Sequence, residues 1–344
     1  MAGITHLEAF KPEALGRLAE EVDKYAVEMQ DDILNFLPDE NVYDLEFAYN
    51  VVKTSSQMAA MIAFGSEPPV RDKDEVARRM GELAKFGWKQ ILTENELLKL
   101  HNPRNDAEFQ ALIDAITADG AKMVKETRDR INLAKLQAIG TGKVTYDDNN
   151  VKITIDFTED MPAEHKIVLT GDNTWDNPEH DVIGDLLNWL EVYEETNAGK
   201  QPDAIYVSRK VQALLLKNAV IVREVAGADS GRLRVSADEL NAVLEGYNLP
   251  PVRLITKTQA KVKSPYTGQL QDVVLFPENR VVFVSQGIGT FKLGPTVENN
   301  FSPGIVLQAY DKEEPIQSIL RTAAAGFPVI ENPGLLLYAD VVEE

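Results

Sequence analysis

The 344-residue chain contains no cysteine. Disulfides, thiolate metal sites and cysteine nucleophiles are therefore excluded. Histidine is scarce: His6, His101, His165 and His180 are the full set, and no two stand at HExxH spacing. Positive charge is also short, with 35 Lys+Arg against 55 Asp+Glu and a net charge of -20. Such a chain does not coat nucleic acid through a basic surface. No apolar run reaches the roughly 18 residues of a membrane span. The opening Met-Ala-Gly-Ile-Thr-His-Leu-Glu lacks the pattern of a signal peptide, so a soluble protein made and kept in a cytoplasm is expected. G-x-S-x-G, Walker A and S-x-x-K signatures are missing too, and the serines have no recognisable His/Asp partners. These absences lean toward binding or structure rather than catalysis.

What is present is enough for a core, since 44% of residues are hydrophobic. The length fits about two domains or one elaborate one. Residues 12–37 carry an amphipathic helical stripe of Leu15, Leu18, Val22, Tyr25, Met29 and Ile33. Residues 42–64 read as extended and run into Gly65-Ser66-Glu67-Pro68-Pro69, where the paired prolines mark an exposed loop tip. Residues 81–93 carry the chain back as a second arm with no clean inside and outside, which suits an element covered by another molecule. "DEVARRMGEL", between the arms, is open to a helical reading.

Residues 105–139 form the strongest helical pattern, through Phe109, Leu112, Ile113, Ile116, Met123, Val124, Thr127, Ile131 and Ala134. About 35 residues at 1.5 Å each make a rod of roughly 50 Å. Asp106 is the expected N-cap, Gly140 the expected C-cap and Gly120 the place for a bend. A hairpin follows at 143–157. From 167 to 309 helices and strands mix in an order that fits α+β rather than a doubly wound array.

Two segments invite a functional reading. In "VVFVSQGIGTFKLGPTVE" (281–298) a strand meets Gly287, Gly289 and Gly294. The third glycine is misplaced for a dinucleotide fingerprint and no helix follows to hold phosphate, so a β-hairpin is expected. In "GDNTWDNPEHDV" (171–182), Asp172, Asp176, Glu179, His180 and Asp181 are concentrated. Oxygen ligands suit a divalent cation, but the spacing matches no calcium loop. A polar loop with Asp181 capping the next helix is the plainer reading.

Three stretches together resemble the tailed-phage major capsid proteins of the lambda capsid protein E family. They are "FGSEPPVRDKDEVARRMGELAKFGWKQILTENELL", "DAEFQALIDAITADGAKMVKETRDRINLAKLQAIGTGKVTYDDNNVKITIDF", and the pair "FPENRVVFVSQGIGTFKLGPTVE" and "EPIQSILRTAAAGFPVIENPGLLLYADV". Their order covers nearly the whole chain, with 165–250 the least distinctive part.

The resemblance implies an α+β Hong Kong 97-type capsid fold. Its parts would be an N-terminal arm (1–56), an extended loop (57–93), a peripheral domain with a spine helix (94–165), an axial domain (166–309) and a C-terminal return (310–344). It implies a non-enzymatic subunit without cofactor or metal. Copies would form pentamers and hexamers of an icosahedral head, with Gly65, Ser66, Glu67, Pro68 and Pro69 at an inter-subunit contact. Implied partners are a scaffolding protein, a portal, a decoration protein and packaged double-stranded DNA bound without sequence preference, and no membrane. The protein would reside in the virion capsid after assembly in the host bacterial cytoplasm. The alternatives are an encapsulin-like nanocompartment shell, or an α+β enzyme holding a metal at Asp172 and Asp176.

Overall fold

A computed structural model describes residues 3–44, 46–52, 76–148, 151–227, 231–264 and 267–343. Helix α1 (Pro12–Glu28) starts at a proline and is followed by strands β1 (Asp39–Asn41), β2 (Glu46–Val52), β3 (Val76–Glu82), β4 (Ala84–Phe86) and β5 (Lys89–Leu92). A Thr93/Glu96 capping box opens α2 (Glu94–His101). The long helix α3 (Asp106–Thr141), the hairpin β6 (Lys143–Asp148) and β7 (Val151–Asp156), and strand β8 (Lys166–Val168) come next. Then follow α4 (Val182–Thr196), β9 (Ala204–Ser208), α5 (Arg209–Leu215), α6 (Ala219–Ala226) and α7 (Ala237–Gly246). The remaining strands are β10 (Val252–Ile255), β11 (Gln259–Lys263), β12 (Leu270–Val274), β13 (Arg280–Val284) and β14 (Gly289–Thr296). Last come β15 (Ser302–Pro303), β16 (Val306–Lys312), β17 (Gln317–Ile330) and β18 (Leu336–Asp340). The mixture is α+β, as the sequence pattern indicates.

The chain divides into two units. The first comprises Met1–Ala48, Met80–Lys135 and Phe291–Val329. Its sheet runs β1-β14-β17-β16, with β15 added on β14 and β4 and β5 on β17. A core of Leu15, Leu97, Leu100, Met123, Val124, Leu307 and Leu320 joins α1, α2 and α3 to strands β16 and β17. The second unit comprises Tyr49–Arg79, Leu136–Thr290 and Ile330–Glu344. Its five-stranded sheet has the order β10-β9-β13-β18-β8. Trp189, Leu190 and Tyr193 of α4 pack there with Ile205, Val207, Val281, Phe283 and Leu337, all buried.

Several local expectations shift. The first helix stops at Glu28 with Met29 as its C-cap, and Ile33 of its apolar stripe is buried in a 3-10 turn at Asp32–Phe36. Helix α3 is capped by Asn105 rather than Asp106: Asn105 Oδ1 accepts from Glu108 N at 2.8 Å, and Glu108 Oε2 accepts from Arg104 N at 2.7 Å. Helical assignment continues through Gly120, whose missing Cβ would lie 3.0 Å from Leu320 Cδ2. That glycine serves close packing. Gly140 is not the C-cap either. It lies inside the helix, where a Cβ would come within 2.3 Å of the Leu275 carbonyl oxygen, and the left-handed residue is Gly142 at φ 70°.

"DEVARRMGEL" supplies strand β3, which pairs with β2, rather than a helix. The hairpin expected at 281–298 does not form. Strand β13 pairs with β9 and β18, whereas β14 neighbours β1, β15 and β17 in the other sheet. Both strands are buried along almost their whole length, so neither has the polar face of a solvent-exposed hairpin. Of the three glycines only Gly287, at φ 90°, sits between the strands in a left-handed conformation; Gly289 and Gly294 belong to β14.

Candidate assembly surfaces

The sequence-predicted contact at Gly65–Pro69 lies outside the described residues. Its return arm forms ladders within its own subunit. Strands β4 and β5 pair antiparallel with β17, through Phe86↔Ala324 and Ile91↔Ile319. The fit is close at Gly87, where a Cβ would stand 2.1 Å from the Thr322 carbonyl oxygen. Trp88 N donates to Thr322 Oγ1 at 3.1 Å, and Thr322 N donates to the Trp88 carbonyl at 2.8 Å. Lys85 Nζ donates to both oxygens of Glu298, at 2.7 and 2.8 Å. That hydrogen bond is the main reason the Glu298 carboxyl sits below the usual carboxylate range. Trp88 and Ile91 stay partly exposed on this arm.

The N-terminal segment also packs on its own chain. Ile4 and Phe10 are buried in the first unit's core. Ile4 N donates to Asp311 Oδ1 and to Ser318 Oγ, both at 3.1 Å. Helix α1 is held by its charge as well as its stripe. Arg128 of α3 forms a fork with Asp23, Nε and Nη2 each donating at 2.6 Å, and Nη1 reaches Asp39 at 2.5 Å. Lys135 Nζ contacts the other Asp39 oxygen at 2.5 Å. Arg128 and Lys135 are both 2% exposed. Burial opposes the Arg128 charge, but the Asp23 and Asp39 contacts outweigh it and raise its pKa. For Lys135 burial prevails and lowers the pKa, against the pull of Asp39.

This network is absent from the sequence reading, though a signal was available. Val124, Arg128, Ile131 and Lys135 share one helical face, so two cations interrupt an apolar stripe. Cations at such positions need buried partners.

The acidic segment does not assemble as a metal site. Asp181 caps α4 by accepting from Gly184 N at 3.0 Å. Asp185 accepts from Trp175 Nε1 at 2.9 Å and lies 2.7 Å from His180 Nε2. Glu179 pairs with Arg223 at 2.5 Å. Among the described residues no group of three or more acidic, histidine or cysteine side chains is placed to hold a metal. No described helix is long and apolar enough to cross a membrane.

Exposed apolar side chains mark other surfaces. Tyr25 and Met29 continue the α1 stripe past the point where it leaves the core, at 64% and 70% exposure. Val297 and Phe301 project from a turn in which Asn300 and Phe301 both have positive φ. Leu270 and Val274 stand on the two-stranded ribbon of β11 and β12. Such positions are ordinary singly.

The sequence profile of the family described as phage major capsid protein E matches residues 29–341. The chain belongs to that family. A candidate prophage capsid protein from Escherichia coli CFT073 shares the fold, with TM-score 0.61, 13% identity, and coverage of 96% of this chain and 99% of that one. A phage-related protein from Bordetella bronchiseptica RB50 follows at TM-score 0.55 and 12% identity, covering 93% and 96%. The mature capsid subunit of bacteriophage PhiM1 gives TM-score 0.53 and 12% identity, covering 92% and 88%. No curated protein matches the chain. The protein is thus a capsid-forming structural subunit of the Hong Kong 97-like fold, and the nanocompartment alternative is not favoured.

Proposed function

We propose that this subunit forms pentamers and hexamers that close into an icosahedral head around double-stranded DNA, and that it works without catalysis or a cofactor. The observation that carries the reading is the family match over residues 29–341. The net charge of -20 supports a wall that contains DNA without gripping it. In this reading residues 57–93 include the loop that meets a neighbouring subunit, with Gly65, Ser66, Glu67, Pro68 and Pro69 at its tip. Residues 1–56 serve as the arm, 94–165 as the peripheral domain, 166–309 as the axial domain and 310–344 as the return. Assembly takes place in the host bacterial cytoplasm with a scaffolding protein and a portal, and a decoration protein adds to the finished shell. Individually weak contacts, repeated many times per subunit, hold it together.

The test is electron microscopy of the full chain expressed alone and with the genes that neighbour its own. Closed shells or capsomer rings are expected. Persistent small, monodisperse particles in both cases would overturn the reading. Deleting Gly65–Pro69 should leave circular dichroism and melting close to wild type while closed shells disappear. Normal shells from that deletion would remove the loop tip from the assembly contact.

A further inference from the structure

Charge is unevenly arranged within the second unit. Residues 246–271 contain no Asp or Glu, but hold Arg253, Lys257, Lys261 and Lys263. No other stretch of this chain goes so long without an acid. Residues 167–199 are the reverse: they contain no Lys or Arg and eight carboxylates. One unit therefore carries a positive and a negative segment, in a protein whose net charge is -20.

The positive stretch builds the β11–β12 ribbon. Its register pairs Lys263 with Leu270, Lys261 with Asp272 and Gln259 with Val274. Residues two apart on a strand, and residues directly opposite across a pair, share a face. Gln259, Lys261, Lys263, Leu270, Asp272 and Val274 therefore occupy one face, and all are exposed; Asp272, opposite Lys261, is its one carboxylate, so two lysines leave the face net positive. Ala260, Val262 and Val273 on the other face are half-buried. Lys257, Lys261 and Lys263 make no ion pair within the described residues. A two-stranded ribbon of this kind is marginal alone, and a face combining lysines with Leu270 at 67% exposure suits a protein partner better than a phosphate backbone.

The negative stretch is equally uncommitted. Asp172, Asp176, Glu191 and Glu195 are exposed and unpaired among the described residues, while Asp185 and Glu179 are engaged with His180 and Arg223. Two different, complementary patches on one subunit make a head-to-tail contact, which generates a ring where the rotation between subunits closes.

We infer that the β11–β12 ribbon of one subunit docks on the acidic 172–195 surface of the next, so that this pairing sets the direction of travel around the capsomer ring. The inference rests on the shell-subunit reading and names the partner surfaces within it. Opposed charge fixes orientation and register, and Leu270 and Val274 add apolar contact.

The test uses the full chain in three variants: Lys261→Glu with Lys263→Glu, Glu191→Lys with Glu195→Lys, and all four changes together. Circular dichroism and thermal melting check that each is folded. Each two-site variant should reduce ring and shell yield by about tenfold or more, as measured by sedimentation and electron microscopy, and the four-site variant should recover most of it. Wild-type rings should also fall apart as salt rises, with the two-site variants already at that limit. Wild-type assembly with undiminished assembly of both two-site variants would overturn the inference and leave the shell reading intact. Loss without recovery in the folded four-site variant would overturn the pairing, as would an effect confined to DNA retention. Failure of wild type to assemble at all would overturn both.

Discussion

The two units differ in the polar contacts at their most buried points. The first joins segments distant in sequence through buried charge, with Asp23 and Asp39 gripped by Arg128 and Lys135 of one helix. The second also holds a charged fork, Arg280 on Asp340 at 2.7 and 2.9 Å, but that pair is about a fifth exposed and the unit's innermost polar contacts join neutral groups. Trp175 stacks on Trp189 with ring centroids 5.6 Å apart, and His165 stacks on Tyr193 at the same separation. Tyr193 Oη donates to the Leu335 carbonyl at 3.0 Å and lies 2.6 Å from Ser285 Oγ. Burial raises the Tyr193 pKa and lowers that of His165, so both side chains are uncharged. A unit stapled by ions is sensitive to losing one partner, whereas a unit built on neutrality is sensitive to gaining a charge.

The sharpest break of that contrast is Arg128→Ala. It leaves Asp23 without its partner and Asp39 with Lys135 alone, and a cost of about 3–5 kcal/mol is expected from urea unfolding. Hydrogen exchange should show the loss in the first unit around residues 112–131 before it appears around 182–207. In the second unit, Tyr193→Phe keeps the ring but strips the hydrogen bond to the Leu335 carbonyl, for about 1–3 kcal/mol in the same assay.

Acid titration separates the units without mutation. The depressed His165 pKa means that the unfolded chain binds this proton more readily than the folded one. Its contribution is complete above the ordinary 6.5 and is lost as pH falls below that value. In the first unit the depressed carboxyls include Asp311 and Glu298, together with Glu96, which the Thr93 backbone amide lowers. Burial works against the Asp311 charge, but hydrogen bonds from Ser318, Thr5 and Ile4 outweigh it, and Lys85 lowers Glu298. Their contributions survive until pH falls below the ordinary 3.8 and 4.5. Fluorescence of the buried Trp175 and Trp189 should therefore report loosening of the second unit at milder acidity than any change in the first. Simultaneous loss in both units, or an earlier loss in the first, would remove His165 from this role.

The smallest effect belongs to Lys85→Met. The Lys85–Glu298 pair is half in solvent, with the lysine side chain 55% exposed, and under about 1 kcal/mol is expected from thermal melting. A larger loss would mean that the return arm is held chiefly by this pair and less by its ladder on β17.

The amino-acid sequence by itself determined the elements whose signal is local. Helix α3, the β6–β7 hairpin and the Asp181 cap of α4 follow from periodicity and capping over neighbouring residues. The three stretches of family likeness were also legible, because their order along the chain survives even where identity to structural relatives is near one in eight. Tertiary structure alone decided where strands find partners. "VVFVS" and "GTFKLG" are neighbours in sequence yet belong to separate sheets, and the return arm pairs with a strand more than 200 residues later. It also decided which acids Arg128 would pair with, since nothing adjacent to it in the chain supplies Asp23 or Asp39. Periodicity is set by bonds within a turn or a pleat. Strand partners and buried ion pairs are chosen by which distant surfaces lose most water together, and that choice exists only once the chain has folded.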